Sequence, residues 1–93
     1  GEKLLSTGTS NAALISARDI YRTALQYQAA YVVVLHNHPS GNPEPSREDI
    51  LVTRKIKACG ELLDILLMDH IIIGDNRYFS FREQDILFEK GRD

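Results

Sequence analysis

Five apolar residues in unbroken succession, Tyr31-Val32-Val33-Val34-Leu35, run straight into His36-Asn37-His38 and then into a segment holding all three prolines of the chain. A run without a polar side has no face to offer water, so it predicts a strand buried on both faces and central in its sheet. Pro39, Pro43 and Pro45, with Gly41 among them, break helix and strand alike and force a fixed polar loop directly after that strand. The chain therefore leaves its core at two histidines, and its other elements must be of kinds that cover a sheet.

Those elements show in the hydrophobic period. Ser16, followed three residues later by Asp19, has the form of a capping box; Ile20, Ala24 and Tyr27 then recur at helical spacing and predict a helix over 17–28. From Ser46 the period returns, with Asp49, Val52, Ile56, Cys59 and Leu63 on one face and Gly60 weakening the last turn. Asp49 thus shares the face of the apolar stripe. Ile65-Leu66-Leu67 and His70-Ile71-Ile72-Ile73 predict one or two strands, Gly74-Asp75-Asn76-Arg77 a hairpin turn, and Tyr78-Phe79-Ser80-Phe81 the returning strand. A short helical turn is expected over 82–87. Residues 3–15 read as irregular to extended, with Leu4, Leu5, Leu14 and Ile15 as apolar anchors around a turn at 7–11. The sum is an α/β layout, a mixed central β-sheet flanked by helices, in a single domain, because 93 residues leave no room for a second core.

Composition narrows the function classes. Hydrophobic residues at 43% and charged residues at 26% are the proportions of a soluble globular domain and argue against disorder. The single cysteine, Cys59, excludes an internal disulfide and a cysteine-rich zinc site, so a metal would be held by His and carboxylate. Cys59 itself lies on the apolar helix face as inert packing. No apolar run approaches the roughly 20 residues that span a bilayer, and the first ten residues lack the layout of a secretory signal, which predicts a soluble, cytoplasmic protein. A formal net charge of -2 gives no basic surface for phosphate; Arg47, Arg54, Lys55 and Lys57 scatter around a helix beside Glu48 and Glu61, so direct nucleic-acid binding is not expected.

The chemistry sits around the proline loop. Histidines at i and i+2 at a strand end project to the same side, so His36 and His38 can present ring nitrogens to one point. Asp49, in the first turn of the following helix and on its inward face, supplies a third ligand. Three protein ligands and one water describe a catalytic zinc site, in which the metal brings the pKa of water to about 7 and polarises a carbonyl. Ser46 has two readings. Its hydroxyl could donate to the oxyanion formed at an attacked carbonyl, or Ser-x-x-Asp could be an N-cap and nothing more. His70, between Asp69 and an isoleucine run, reads as a packed, hydrogen-bonded core residue, and Asp64 and Asp75 as turn residues.

His36-x-His38, seven residues, Ser46, two residues and Asp49 together resemble the JAMM signature of the JAB/MPN metalloproteases, without a gap. The surrounding residues, His36-Asn37-His38-Pro39-Ser40-Gly41-Asn42-Pro43 and Pro45-Ser46-Arg47-Glu48-Asp49, look like its RadC branch, historically called DNA-repair proteins, as do Gly8-Thr9, Asp69-His70 and Ile73-Gly74. The resemblance implies one RadC-type JAB/MPN domain over residues 1–93 with a cytidine-deaminase-like fold. It further implies zinc on His36, His38 and Asp49, Ser46 on the oxyanion side, and a peptide or amide substrate.

The same resemblance implies an upstream glutamate as general base. Glu2 is the only acidic residue before Asp19, and its closeness to Gly8-Thr9 puts it on a later strand than the one expected to carry that glutamate. The expectation is a domain lacking its N-terminal hairpin, with a sheet edge open to weak homodimerisation. Two function classes follow: a zinc-dependent hydrolase acting on an amide or isopeptide bond, or a non-catalytic binding or recruitment module in DNA repair or recombination.

Overall fold

In the computed structural model, residues 2–7 and 15–88 are described. The elements are β1 (Glu2–Thr7), α1 (Ala17–Gln26), β2 (Tyr31–Asn37), α2 (Arg47–Leu63), β3 (Leu66–Gly74) and β4 (Arg77–Ser80). They form a four-stranded sheet in the order β1-β2-β3-β4, with β1, β2 and β3 parallel and β4 antiparallel to β3. This is the mixed α/β architecture expected from the sequence, with the apolar run as a central strand. The turn residues 8–11 and Leu14 lie outside the described residues.

Both helices pack on one face of the sheet, where Ala17, Tyr21, Ala24 and Ile56 share a core with Val32, Val34, Leu67 and Ile72. The tyrosine joins the helices: Tyr21 Oη donates to the Ile56 carbonyl at 2.9 Å. Burial, and then the nearby Cys59, pushes its pKa up to about 12, so it stays a donor at neutral pH. Among the described residues the helical cover lies on one side, and β2 is not equally buried on both faces. Val32, Val34 and His36 are sealed in, while Tyr31, Val33 and Leu35 are half-buried.

Several local readings are corrected by packing. α1 ends at Gln26 rather than at residue 28. Gln28 is left-handed (φ 53) while the Gln28 and Ala29 N–H groups bond back to Leu25 and Ala24, a Schellman ending without the glycine that usually marks one. The buried stripe of α2 is Asp49, Thr53, Ile56 and Gly60, rotated from the predicted one, and Leu63 is exposed. Gly60 is there for closeness: a Cβ at this position would meet the Ile65 carbonyl and come within 2.5 Å of the Tyr21 hydroxyl. Asp64, left-handed at φ 57, ends the helix as a turn residue. Of the one or two strands expected after it, one forms, with an irregularity opposite Val32/Val33 that leaves Met68 without a register partner. That extra residue lets Leu67 and His70 both face the core. The helical turn expected over 82–87 is shorter and begins earlier: Gln84 N–H bonds to the Ser80 carbonyl at 3.1 Å and Asp85 N–H to the Arg82 carbonyl at 3.2 Å, and among the described residues no helix continues from there. Successive turns follow β4, with Asp85 and Leu87 left-handed at φ 58 and 68, which a right-handed helix excludes.

Candidate metal centre

His36 closes the buried side of β2, His38 stands just beyond its last residue, and α2 starts at Ser46 after the loop. The site thus lies at the carboxyl end of a parallel strand, the usual place for function in such sheets. The loop is held in place from the other side. His38 N–H donates to the Ile73 carbonyl and Asp75 N–H to the Gly41 carbonyl, both at 2.9 Å, and Arg77 Nη2 adds a bond to the Gly41 carbonyl at 3.1 Å. Gly41 itself has φ 90, a conformation side chains rarely adopt.

The two rings meet edge to face with centroids 4.9 Å apart. Asp49, 1% exposed, stands between them: Oδ1 lies 3.3 Å from His36 Nδ1 and Oδ2 lies 3.1 Å from His38 Nε2. One donor atom from each residue falls within 4.8 Å of the others, so His36, His38 and Asp49 form a group able to hold a metal ion. The hydrogen bonds around it test the fit. His38 Nδ1 lies 2.9 Å from the Asn42 carbonyl, which can only accept, so Nδ1 carries the proton. A neutral His38 then points a lone pair at a carboxylate oxygen. Two acceptors facing each other at 3.1 Å require a cation or an added proton between them, and a ring N–H held by a carbonyl is how metal-bound histidines are oriented. Asp49 Oδ1 accepts no hydrogen bond among the described residues, a further sign of a donor set that fits a metal.

Ser46 forms the full capping box with Asp49. Asp49 N–H donates to Ser46 Oγ at 3.0 Å, and Ser46 N–H donates to Asp49 Oδ2 at 2.7 Å. The cap is formed, and in the same rotamer the hydroxyl that accepts the cap bond keeps its own proton to donate, so a donor role would not need a second rotamer. The box also fixes the Asp49 carboxylate from behind.

Glu2 is remote from this group. It opens β1 opposite Tyr31, whereas Thr7 is the residue opposite His36. Five residues of strand separate them, roughly 16 Å. Among the described residues, Asp49 is the only carboxylate in the metal-capable group.

Two residues near the site, Asn42 and Thr53, were not singled out by sequence reasoning, and the place of a third, His70, was read only in part. Asn42 contributes through its main chain, which no side-chain pattern reveals. Thr53 lies one helical turn beyond Asp49 and donates to its carbonyl at 2.6 Å; the i+4 spacing was the available signal. His70, expected as a hydrogen-bonded core histidine, is fully buried, but it also lies against the centre, its ring 5.7 Å from that of His36. Burial first, and then the His36 charge, lowers its pKa from 6.5 to about 4, so it is neutral at physiological pH. Arg47, Arg54 and Lys55 are exposed and Lys57 pairs with Glu61 at 2.8 Å, the solvated face the sequence suggested.

Fold and site together define a class: an α/β domain whose central parallel strand and following helix bring two histidines and a buried aspartate into a group that could hold a metal ion. The chain belongs to the RadC-like JAB domain family, whose model matches residues 1–86. A protein of Thermotoga maritima named UPF0758 protein is 51% identical over 84 residues, covering 90% of this chain and 38% of that relative. Relatives of the same name from Clostridium perfringens and Methanosarcina mazei are each 48% identical, over 92% and 89% of the chain and 38% and 36% of their own lengths. The chain thus spans less than two fifths of the length of these relatives. Among the described residues, no helix is long and apolar enough to cross a membrane.

Proposed function

We propose that this domain is a zinc-dependent hydrolase unit acting on an amide or isopeptide bond, with His36, His38 and Asp49 as the metal ligands. The observation that carries it is the Asp49 carboxylate, buried and flanked at 3.1 and 3.3 Å by two imidazoles, one of which aims a lone pair at it. Zinc held there supplies Lewis acidity toward a carbonyl oxygen and makes water acidic enough to attack near neutral pH. The chain's own residues do the positioning. Asn42 fixes the His38 tautomer, the capping box fixes the carboxylate, and the Ser46 O–H is the donor for negative charge developing on the substrate oxygen. Ser46 is exposed at the loop end, where a substrate can reach it.

The test is zinc stoichiometry by elemental analysis of tag-free protein beside His38→Ala. About one zinc per chain in the parent and none in the variant is expected. A folded parent that takes up no zinc after reconstitution would overturn the reading.

A further inference from the structure

The three proposed ligands leave one buried imidazole unexplained. His70, on β3, has its ring between His36, at 5.7 Å and 22° from parallel, and Phe81, at 5.0 Å and 3°. Its Nδ1 lies within hydrogen-bond distance of Thr53 Oγ1, which in turn reaches the Asp49 carbonyl at 2.6 Å. The direction of both bonds is forced. A carbonyl only accepts, so the Thr53 hydroxyl gives its single proton to Asp49, and Thr53 Oγ1 then accepts from His70 Nδ1–H.

Two ordinary explanations fall short of this arrangement. Threonine often bonds back to the carbonyl four residues earlier, but that bond needs no histidine. An apolar ring would fill the space between His36 and Phe81 without burying polar nitrogen, yet His70 is wholly buried with Nε2 lacking a hydrogen bond among the described residues. What the histidine adds is a tie from β3, which supplies no ligand, to two of the three proposed ligands: Asp49 through Thr53, and His36 through its ring face.

We infer that His70, acting through Thr53, is a positioning residue of the metal centre, pinning the first turn of α2 against the sheet and backing the His36 ring. This rests on the reading of His36, His38 and Asp49 as metal ligands. Cobalt(II) added to metal-free protein is the probe, because its visible spectrum reports ligand geometry as well as occupancy. His70→Phe keeps a ring between His36 and Phe81 but no donor, and Thr53→Val keeps volume but breaks the relay. Both should bind cobalt at least about tenfold more weakly than the parent, with shifted bands. His70→Asn, whose amide nitrogen takes the place of Nδ1, should return the spectrum toward that of the parent. Parent-like affinity and spectrum in His70→Phe and Thr53→Val would overturn the inference and leave the metal reading intact. Equal weakening in His70→Asn would reduce His70 to packing and overturn it too. If His70→Phe fails to fold, Thr53→Val decides alone. A parent that binds no cobalt, like His38→Ala, would overturn the metal reading and this inference together.

Discussion

The two helices begin with the same local device and put it to different use. Ser16 caps α1 by accepting from Asp19 N–H at 3.1 Å, as Ser46 caps α2 by accepting from Asp49 N–H at 3.0 Å. At the first start the carboxylate turns outward, its side chain 62% exposed, and pairs with Arg22 at 3.0 Å. At the second it is buried, bonds back to Ser46 N–H and faces two imidazoles. A Ser-x-x-Asp pattern therefore states where a helix starts and nothing about chemistry. The chemistry comes from what the helix end is folded against, here the end of β2.

Exchanging the two aspartates gives the largest expected contrast. Asp49→Asn should take zinc from about one per chain to none, while Asp19→Asn should leave stoichiometry unchanged, both read by elemental analysis. Retained zinc in Asp49→Asn would remove the distinction between the two helix starts.

The imidazole beneath the second start provides the next effect, and the first start has no counterpart to it. With His70 held near pKa 4 by burial, the unfolded chain takes up a proton below pH 6.5 that the folded protein refuses. Stability of the metal-free protein should therefore be complete above about pH 6.5 and fall as pH drops toward 4, by about 3 kcal/mol from this group. Urea midpoints across that window should fall in the parent and fall less in His70→Phe. Equal slopes would mean that other groups carry the acid sensitivity.

The smallest contrast lies in the caps. Ser16→Ala and Ser46→Ala should each cost about 1 kcal/mol in thermal or urea denaturation, since each removes one acceptor for a helix N–H. Only Ser46→Ala should also slow amide hydrolysis by zinc-loaded protein while zinc stays bound. A serine pair that differs in neither respect would make Ser46 a cap like Ser16.

Much of the fold was legible because it depends on short-range rules. The β-branched run could only be an inner strand, Ser16 and Ser46 marked both helix starts, and Gly74 to Arg77 marked the hairpin. Helix ends and faces were less so. Gln28 closes α1 in a conformation usually left to glycine, and Thr53 and Gly60, which no hydropathy scale selects, line the buried side of α2 because the helix lies close to its neighbours there. After β4 the helical hydrogen bonds stop at Asp85, sooner than expected, because Asp85 and Leu87 are left-handed, which nothing local in 82–87 indicates.

The site divides in the same way. By itself the sequence determined which residues could hold a metal, since two histidines one apart and a carboxylate on an inward helix face are a matter of spacing. That Glu2 stands apart from these residues was an expectation drawn from the family resemblance, and the strand register sets it opposite Tyr31 rather than His36. Only the tertiary structure decided that Asp49, and not Asp19, is buried between imidazoles. It alone set the His38 tautomer through the Asn42 carbonyl, and it brought His70 within reach of Thr53, 17 residues away in the chain. Spacing fixes which side chains share a face, whereas burial and proton placement depend on groups brought together from distant parts of the chain.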